Sequence, residues 1–283
     1  MEKMKLSNGI EIPAIGLGTW KITDKQEMLF VIKNAYEYGY RLFDTAAAYS
    51  NEMILGKVIK ELQLPRETLF IQDKVWRTCY GYEETQEACK RTLRKLKLDY
   101  LDAYLIHWPA TALSHENWQY VNAETWRGME RLYEQGYVRS VGVSNFKPNH
   151  LEELEKTAKM LPQLNQIECH PGMLQKDTLA YCQKKKIGIE ASCPLGNGKI
   201  LSNDLLVQIA ESKGVSVARL CLKWERKHNL VILPKTTKVN RLEENMMLDD
   251  FDVSEEEMAF IDAMAYSGGL GLDSDKEVDF EKL

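Results

Sequence analysis

Four polar side chains stand where short apolar runs break off: Asp44 and Tyr49 after Arg41-Leu42-Phe43, Lys74 after Leu69-Phe70-Ile71, and His107 after Leu101 to Ile106. An acid, a phenol, an amine and an imidazole are the groups that proton transfer to a carbonyl oxygen needs. A phenol, with a reference pKa of about 10, is a poor acid near neutrality unless its phenolate is stabilised. Lys74 suits that role, and a buried ammonium needs a partner of its own, which Asp44 can supply. The expected relay is Asp44, Lys74, Tyr49, with His107 holding the same substrate oxygen as a neutral donor and the set stabilising a developing alkoxide. Taken singly, Asp44 reads as a cap, Tyr49 as a core ring, Lys74 as a solvated strand end and His107 as a satisfied imidazole. Their joint placement favours an enzyme. The quartet lacks an electron source, and a nicotinamide hydride fits, since neither metal-ligand spacing nor a flavin signal accompanies it.

The elements that must hold these groups are short β-rich runs alternating with helical stretches, the signature of a parallel sheet with crossover helices. The strand-like runs are Ile15 to Thr19, Arg41 to Asp44, Leu69 to Lys74, Leu101 to His107, Val138 to Ser144, Gln163 to Glu168, Ile187 to Ser192 and Leu230 to Lys235. Helical patterns cover Lys25 to Tyr38, Asn51 to Leu62, Tyr82 to Leu96, Ala123 to Gln135, Pro148 to Lys159 and Asp177 to Lys185, with Gly39, Gly136 and Gly188 expected to stop three of them. Eight strand–helix units in 283 residues predict a (β/α)₈ TIM barrel, read as a single domain over 1–283, with its site at the carboxyl ends of the strands. An open doubly wound sheet lacks its fingerprint here: Gly16-Leu17-Gly18 has no third glycine, and Gly196-Asn197-Gly198-Lys199-Ile200 is not a phosphate loop. Alternating sequence around Asn8-Gly9, from Met4 to Ile12, predicts a β-hairpin able to plug the barrel floor.

Composition narrows the partners. A net charge of −5 gives no broad attraction to nucleic acid or an anionic membrane, and no apolar run is long enough to span a bilayer. The amino terminus leads into a polar turn, not a signal-peptide core, so the cytoplasm is the expected location. Six cysteines, at 79, 89, 169, 182, 193 and 221, form no C-x-x-C pair and no zinc spacing; no metal is expected, and the chain is read as a reduced protein and a monomer.

The motifs around the quartet are Gly16-Leu17-Gly18-Thr19-Trp20, Phe43-Asp44-Thr45-Ala46, Tyr49-Ser50-Asn51-Glu52, Val141-Gly142-Val143-Ser144-Asn145-Phe146 and Asn165-Gln166-Ile167-Glu168-Cys169-His170-Pro171. On these the chain resembles the aldo-keto reductases, in particular the compact bacterial NADPH-dependent members that reduce small dicarbonyls and keto sugars, such as 2,5-diketo-gluconate reductase. The resemblance implies a catalytic tetrad of Asp44, Tyr49, Lys74 and His107. It implies that Ser144, Asn145 and Gln166 bind the nicotinamide carboxamide, which hydroxyl and amide side chains read without charge. Thr19, Trp20, Asp44 and Ser192 complete the expected contacts near the ring, and Leu195 and Gly196 lie where the pyrophosphate passes. Lys235, Thr236 and Arg241 resemble an adenosine-phosphate site beside a helix starting near Val239, favouring NADPH over NADH, with Glu244 and Asn245 meeting the adenine. Trp20, Trp76, His107, Trp108 and Trp118 are the expected substrate wall, suited to aromatic or apolar aldehydes and ketones.

Two positions depart from the family pattern. Ser192 stands where an aromatic ring usually stacks on the nicotinamide, and Asp73 stands beside Lys74 where a small polar residue is usual. Strand alternation should point Asp73 away from Lys74, with little direct coupling. Besides an NADPH-dependent carbonyl reductase, two alternatives stay open: a slow, nucleotide-sensing regulatory subunit of the same fold, which Ser192 keeps alive, and a Schiff-base aldolase with Lys74 as nucleophile. Asp44 argues against the last, because an ion-paired lysine is a poor amine.

Overall fold

The computed structural model describes residues 2–276; Met1 and 277–283, the ends of the span read as one domain, lie outside the described residues. Eight parallel strands follow one another around the sheet in chain order: β3 (Gly16–Gly18), β4 (Leu42–Asp44), β5 (Phe70–Val75), β6 (Ala103–Ile106), β7 (Val141–Ser144), β8 (Leu164–Glu168), β9 (Gly188–Ser192) and β10 (Val231–Leu233). A short seam closes the barrel between the first and last of these. Ile15 bridges Ile232, the Ile232 N–H donates to the Ala14 carbonyl at 3.0 Å, and the Gly18 N–H donates to that of Pro234 at 3.1 Å. The eight strand-like runs of the sequence all form, seven of them shortened and the third displaced by one residue to Phe70–Val75.

The hairpin forms as expected from β1 (Lys3–Lys5) and β2 (Glu11–Pro13), with Met4 opposite Ile12. It buries Leu6 and Ile12 against Leu42, Phe70, Leu105, Leu164 and Val231, a small apolar core that fills the lower barrel. A larger core lies between the strands and their helices. The barrel interior is therefore dry at its floor and polar only toward the carboxyl ends of the strands, where the site is built.

The helices are α1 (Lys25–Glu37), α2 (Glu52–Glu61), α3 (Tyr82–Leu96), α4 (Trp118–Glu134), α5 (Pro148–Glu155), α6 (Lys176–Lys185), α7 (Asp204–Lys213), α8 (Val217–Lys227), α9 (Val239–Met246) and α10 (Glu255–Asp262). Their apolar spacing explains their packing: in α1 the Asp24 side chain caps Glu27 N–H, and Met28, Val31, Ile32 and Ala35 make one buried face. Gly39 and Gly136 take positive φ beyond α1 and α4 as expected, but Gly188 does not stop α6. Lys186 adopts the left-handed conformation there, at φ 59°, and Gly188 opens β9. Its small size serves the floor: a Cβ at Gly188 would come within 3.1 Å of Leu6 and 3.2 Å of Leu164. All six cysteines are free, and among the described residues no helix is long and apolar enough to cross a membrane.

Candidate active site

Asp44 ends β4, Lys74 lies in β5, His107 follows β6, and Tyr49 closes a single 3₁₀ turn, Ala47–Tyr49. Strand alternation turns Gln72 and Lys74 inward. Lys74 is fully buried, and its ammonium donates to Asp44 Oδ1 at 2.6 Å, Asp44 Oδ2 at 2.8 Å and the Thr45 carbonyl at 3.0 Å. Burial by itself lowers the pKa of this lysine, but the negative groups around it, Asp44 first, outweigh that and hold the ammonium above its ordinary range. The ammonium lies 5.1 Å from the centre of the Tyr49 ring. Burial pushes the Tyr49 phenol up to about 12 against the lowering influence of Lys74, so the hydroxyl keeps its proton throughout the neutral range.

His107 meets Tyr49 edge to face, with ring centres 5.7 Å apart, and Trp76 likewise at 5.2 Å. Burial, reinforced by the Lys74 charge, drives the imidazole pKa well below its usual value and keeps the ring neutral. His107 Nδ1 is buried without a hydrogen-bond partner. A bare nitrogen tolerates that better than an N–H, which assigns the proton to Nε2 and makes His107 a neutral donor. Asp73 points away from the Lys74 ammonium as expected, yet it is not independent of it. Asp73 Oδ1 accepts from the Lys74 backbone N–H at 2.6 Å, and burial, with Glu52 nearby, raises its carboxyl well above the ordinary range.

The groups converge on a cavity of about 330 Å³ at the carboxyl ends of the strands, lined by Trp20, Tyr49, Trp76, His107 and Trp108 together with Ser144, Asn145, Gln166 and Ser192. Asn145 takes a left-handed conformation at φ 62° and donates to the His107 carbonyl at 2.9 Å and to Ser144 Oγ at 3.1 Å. Gln166 spends both hydrogens of its Nε2 on carboxylates, Asp44 Oδ1 at 3.1 Å and Glu190 Oε2 at 3.0 Å. Within the described residues, Asn145 Oδ1 and Gln166 Oε1 therefore keep acceptor capacity and the Ser144 hydroxyl a free hydrogen. Two acceptors and one donor are the complement of a carboxamide, whose NH₂ and C=O need that set.

Sequence reasoning missed Gln72, Glu190 and Glu168. Gln72 repeats the Gln166 pattern, donating to Asp44 Oδ1 at 2.9 Å and Glu190 Oε2 at 2.7 Å. Glu168, at the end of β8, accepts from the backbone N–H groups of Leu270 at 2.6 Å and Gly271 at 2.9 Å, which brings Leu270 and Leu272 into the cavity wall. Gly269, at φ 112°, leaves no room for a side chain there: a Cβ would fall 2.1 Å from the Glu168 carboxylate. The signal for two of the missed residues was positional: Gln72 and Glu190, like the expected Gln166, each precede by two, on the same face, a residue at or next to the carboxyl end of a strand.

Other expected contacts lie apart from the cavity. Trp118 begins α4 and packs edge-on against His150 at 5.8 Å, so it is not among the lining residues; α4 starts five residues before the apolar repeat at Ala123 and carries the ring away. Thr19 is buried behind the strand end, its hydroxyl donating to the Asp44 carbonyl at 2.9 Å. Leu195 and Gly196 enter the turn Gly196–Ser202, next to the cavity residues Ser192 and Cys193. The last group sits on the seam side, where Lys235 adjoins Gly18. Lys235, Lys238 and Arg241 are exposed around the start of α9 and, among the described residues, form no ion pair; Thr236 is buried and its hydroxyl accepts from Lys238 N–H at 3.1 Å. Asn245 is buried beside Tyr40, and Glu244 is half-buried.

A sequence model described as the Aldo/keto reductase family matches residues 14–265. A glyoxal reductase of Bacillus subtilis is 43% identical over 275 residues, 97% of each chain. A methylglyoxal reductase, DkgA of Escherichia coli O157:H7, is 37% identical over 96% of this chain and 97% of its own. Among solved structures, an aldo-keto reductase of the silkworm Bombyx mori in complex with NADPH superposes with a TM-score of 0.85 at 31% identity, over 92% of this chain and 86% of that one.

Proposed function

The chain belongs to the Aldo/keto reductase family, and from that premise we propose that it reduces small carbonyl compounds to alcohols with NADPH, Tyr49 supplying the proton. The observation that carries this reading is the doubly bonded Lys74–Asp44 pair beneath a protonated Tyr49 and a neutral His107 at one end of the cavity. When bound, the reduced nicotinamide supplies a hydride to the carbonyl carbon. Tyr49 and His107 hold the carbonyl oxygen by two neutral hydrogen bonds, and the Tyr49 hydroxyl proton passes to that oxygen as its charge grows. Lys74 stabilises the phenolate left behind, and Asp44 keeps Lys74 charged. The same pairing weighs against a Schiff-base role, because an ammonium held in three hydrogen bonds is not a free amine nucleophile.

Ser144, Asn145 and Gln166 suit the nicotinamide carboxamide, and the cations beside α9, which form no ion pair among the described residues, suit an extra phosphate on the adenosine end. If Arg241 pairs with that phosphate, Arg241→Ala weakens NADPH binding by roughly 1.5–3 kcal/mol and leaves NADH almost untouched. Fluorescence titration with both cofactors measures this, and equal losses would remove Arg241 from the phosphate site. For substrate, the names of the glyoxal and methylglyoxal reductases and the modest, ring-lined cavity favour small dicarbonyls. NADPH oxidation measured against aldehydes, dicarbonyls, quinones and keto sugars tests the reading; turnover fastest with the dicarbonyls is expected, and no turnover with any of them would overturn it.

Ser192 offers the cavity wall no ring, and Cys193, Leu270 and Leu272 are among the other residues that line the same cavity. Ser192→Tyr is expected to tighten NADPH several-fold, since an aromatic contact is worth about 0.5–1.5 kcal/mol beyond area burial. The gain belongs to ground and transition state alike, so it appears in cofactor affinity and not in turnover. Weaker binding by the variant in the same titration would mean that Leu270 and Leu272 already fill the space.

A further inference from the structure

The barrel interior below the cavity holds a second carboxylate that the relay does not use. Glu190, on β9, is fully buried, and its Oε2 accepts from Gln72 Nε2 at 2.7 Å and Gln166 Nε2 at 3.0 Å. Each of those amides gives its other hydrogen to Asp44 Oδ1, so two glutamines bridge two carboxylates across the barrel. An amide NH₂ has two donors and no more. With both engaged, Gln166 cannot rotate without losing two hydrogen bonds to buried carboxyl groups, and only its carbonyl Oε1 is left for a ligand. We propose that Glu190 is a positioning residue of the cofactor site, fixing the Gln166 amide so that an acceptor and never a donor meets the nicotinamide carboxamide. This rests on the nicotinamide-dependent reading above.

The charged groups facing Glu190 are Asp44 and Lys74; on the strand beside it, β10 places Val231 opposite. Burial, then repulsion from Asp44, pushes the Glu190 carboxyl up to about 7. Its Oε1 and the Gln72 Oε1 are both buried without partners. A carboxyl that costs this much to bury and leaves one oxygen unpaired is poorly explained as packing. Its effect on Gln166 gives it a purpose at the site.

The test compares Glu190→Gln and Glu190→Leu with the parent by fluorescence titration, using NADPH and, separately, phosphorylated ADP-ribose, the fragment that lacks the nicotinamide. Glu190→Leu removes the acceptor and frees one hydrogen on each glutamine. NADPH is expected to bind it about tenfold more weakly, the cost of one misdirected hydrogen bond, with affinity for the fragment unchanged. Glu190→Gln keeps an oxygen that can accept from both amides, and should bind NADPH within about twofold of the parent. Melting curves of the ligand-free proteins provide a second readout. Because the Glu190 pKa is raised on folding, its contribution to stability is full below the unfolded value and is lost as pH rises through about 7, so the parent should lose melting temperature between pH 5 and 8 relative to Glu190→Gln. A Leu variant that melts lower but binds NADPH like the parent would make Glu190 packing alone and overturn the proposal. Equal losses for NADPH and the fragment would overturn it too. A parent that binds neither NADPH nor NADH would overturn the nicotinamide reading itself, and this proposal with it.

Discussion

Tyr49→Phe is expected to lower the turnover of carbonyl reduction by a factor on the order of 10² or more, within the range for removing a positioned general acid. The ring remains, so its edge-to-face contact with His107 survives, and Lys74 and Asp44 keep their bonds to each other. Cofactor affinity should therefore hardly move, and the loss should fall on kcat and kcat/KM together, the mark of an interaction made in the transition state. Because the Tyr49 phenol stands at about 12, the parent should show no loss of reductive activity from this group anywhere in the neutral range. Single-turnover measurement with cofactor already bound separates the proton step from release. Near-normal reduction by the variant would remove Tyr49 from the acid role.

Lys74→Met acts on stability as well as on catalysis. It deletes the only cation bonded to Asp44 among the described residues and leaves a buried carboxylate facing two glutamine amides. Breaking a buried pair from one side costs about 3–5 kcal/mol, and turnover should fall by a factor on the order of 10² or more as the phenolate loses its stabilising charge. Adding Asp44→Asn removes the stranded charge while keeping an oxygen for Gln72 and Gln166. The double variant is expected to regain most of the stability, measured by urea unfolding, and none of the activity. Recovery of both would mean that the pair is structural; recovery of neither would mean that the ammonium bond to the Thr45 carbonyl matters more than the ion pair.

The parts of this fold that were legible in the sequence were those written in repeated local pattern. Eight apolar runs alternating with helical periods gave the barrel, and Asn8-Gly9 gave the hairpin. Gly188 misled because a glycine near a helix end ordinarily marks a stop, whereas here its lack of a side chain makes room for Leu6 and Leu164, contacts distant in sequence. Trp118 misled for a similar reason: an aromatic residue in a long loop reads as a pocket wall until the helix that captures it is seen. The quartet was visible because each member follows an apolar run. Gln72, Gln166 and Glu190 were harder to join as one group, since their link is made sideways across strands: Gln166 lies in register with Glu190, and Asp44 with Gln72. Asp73 was oriented correctly by alternation, but alternation says nothing about a carboxyl bonding the next residue's amide.

The seam that completes the barrel joins Ala14 and Ile15 to Ile232 and Gly18 to Pro234, pairing segments separated by most of the chain. Contacts of such sequence separation carry the full entropic cost of closing a long loop, so they form late when the chain refolds. Lys235 and the start of α9 follow directly on that seam, while Lys74 lies in, and Tyr49 and His107 follow, strands that pair with their immediate successors. During synthesis or refolding, the proton-handling half of the site can thus assemble before the half suited to the nucleotide tail exists. In pulsed hydrogen exchange, the amides of Gly18 and Ile232 should gain protection last, and a ligand spanning both halves would act as a clasp on the closed ring.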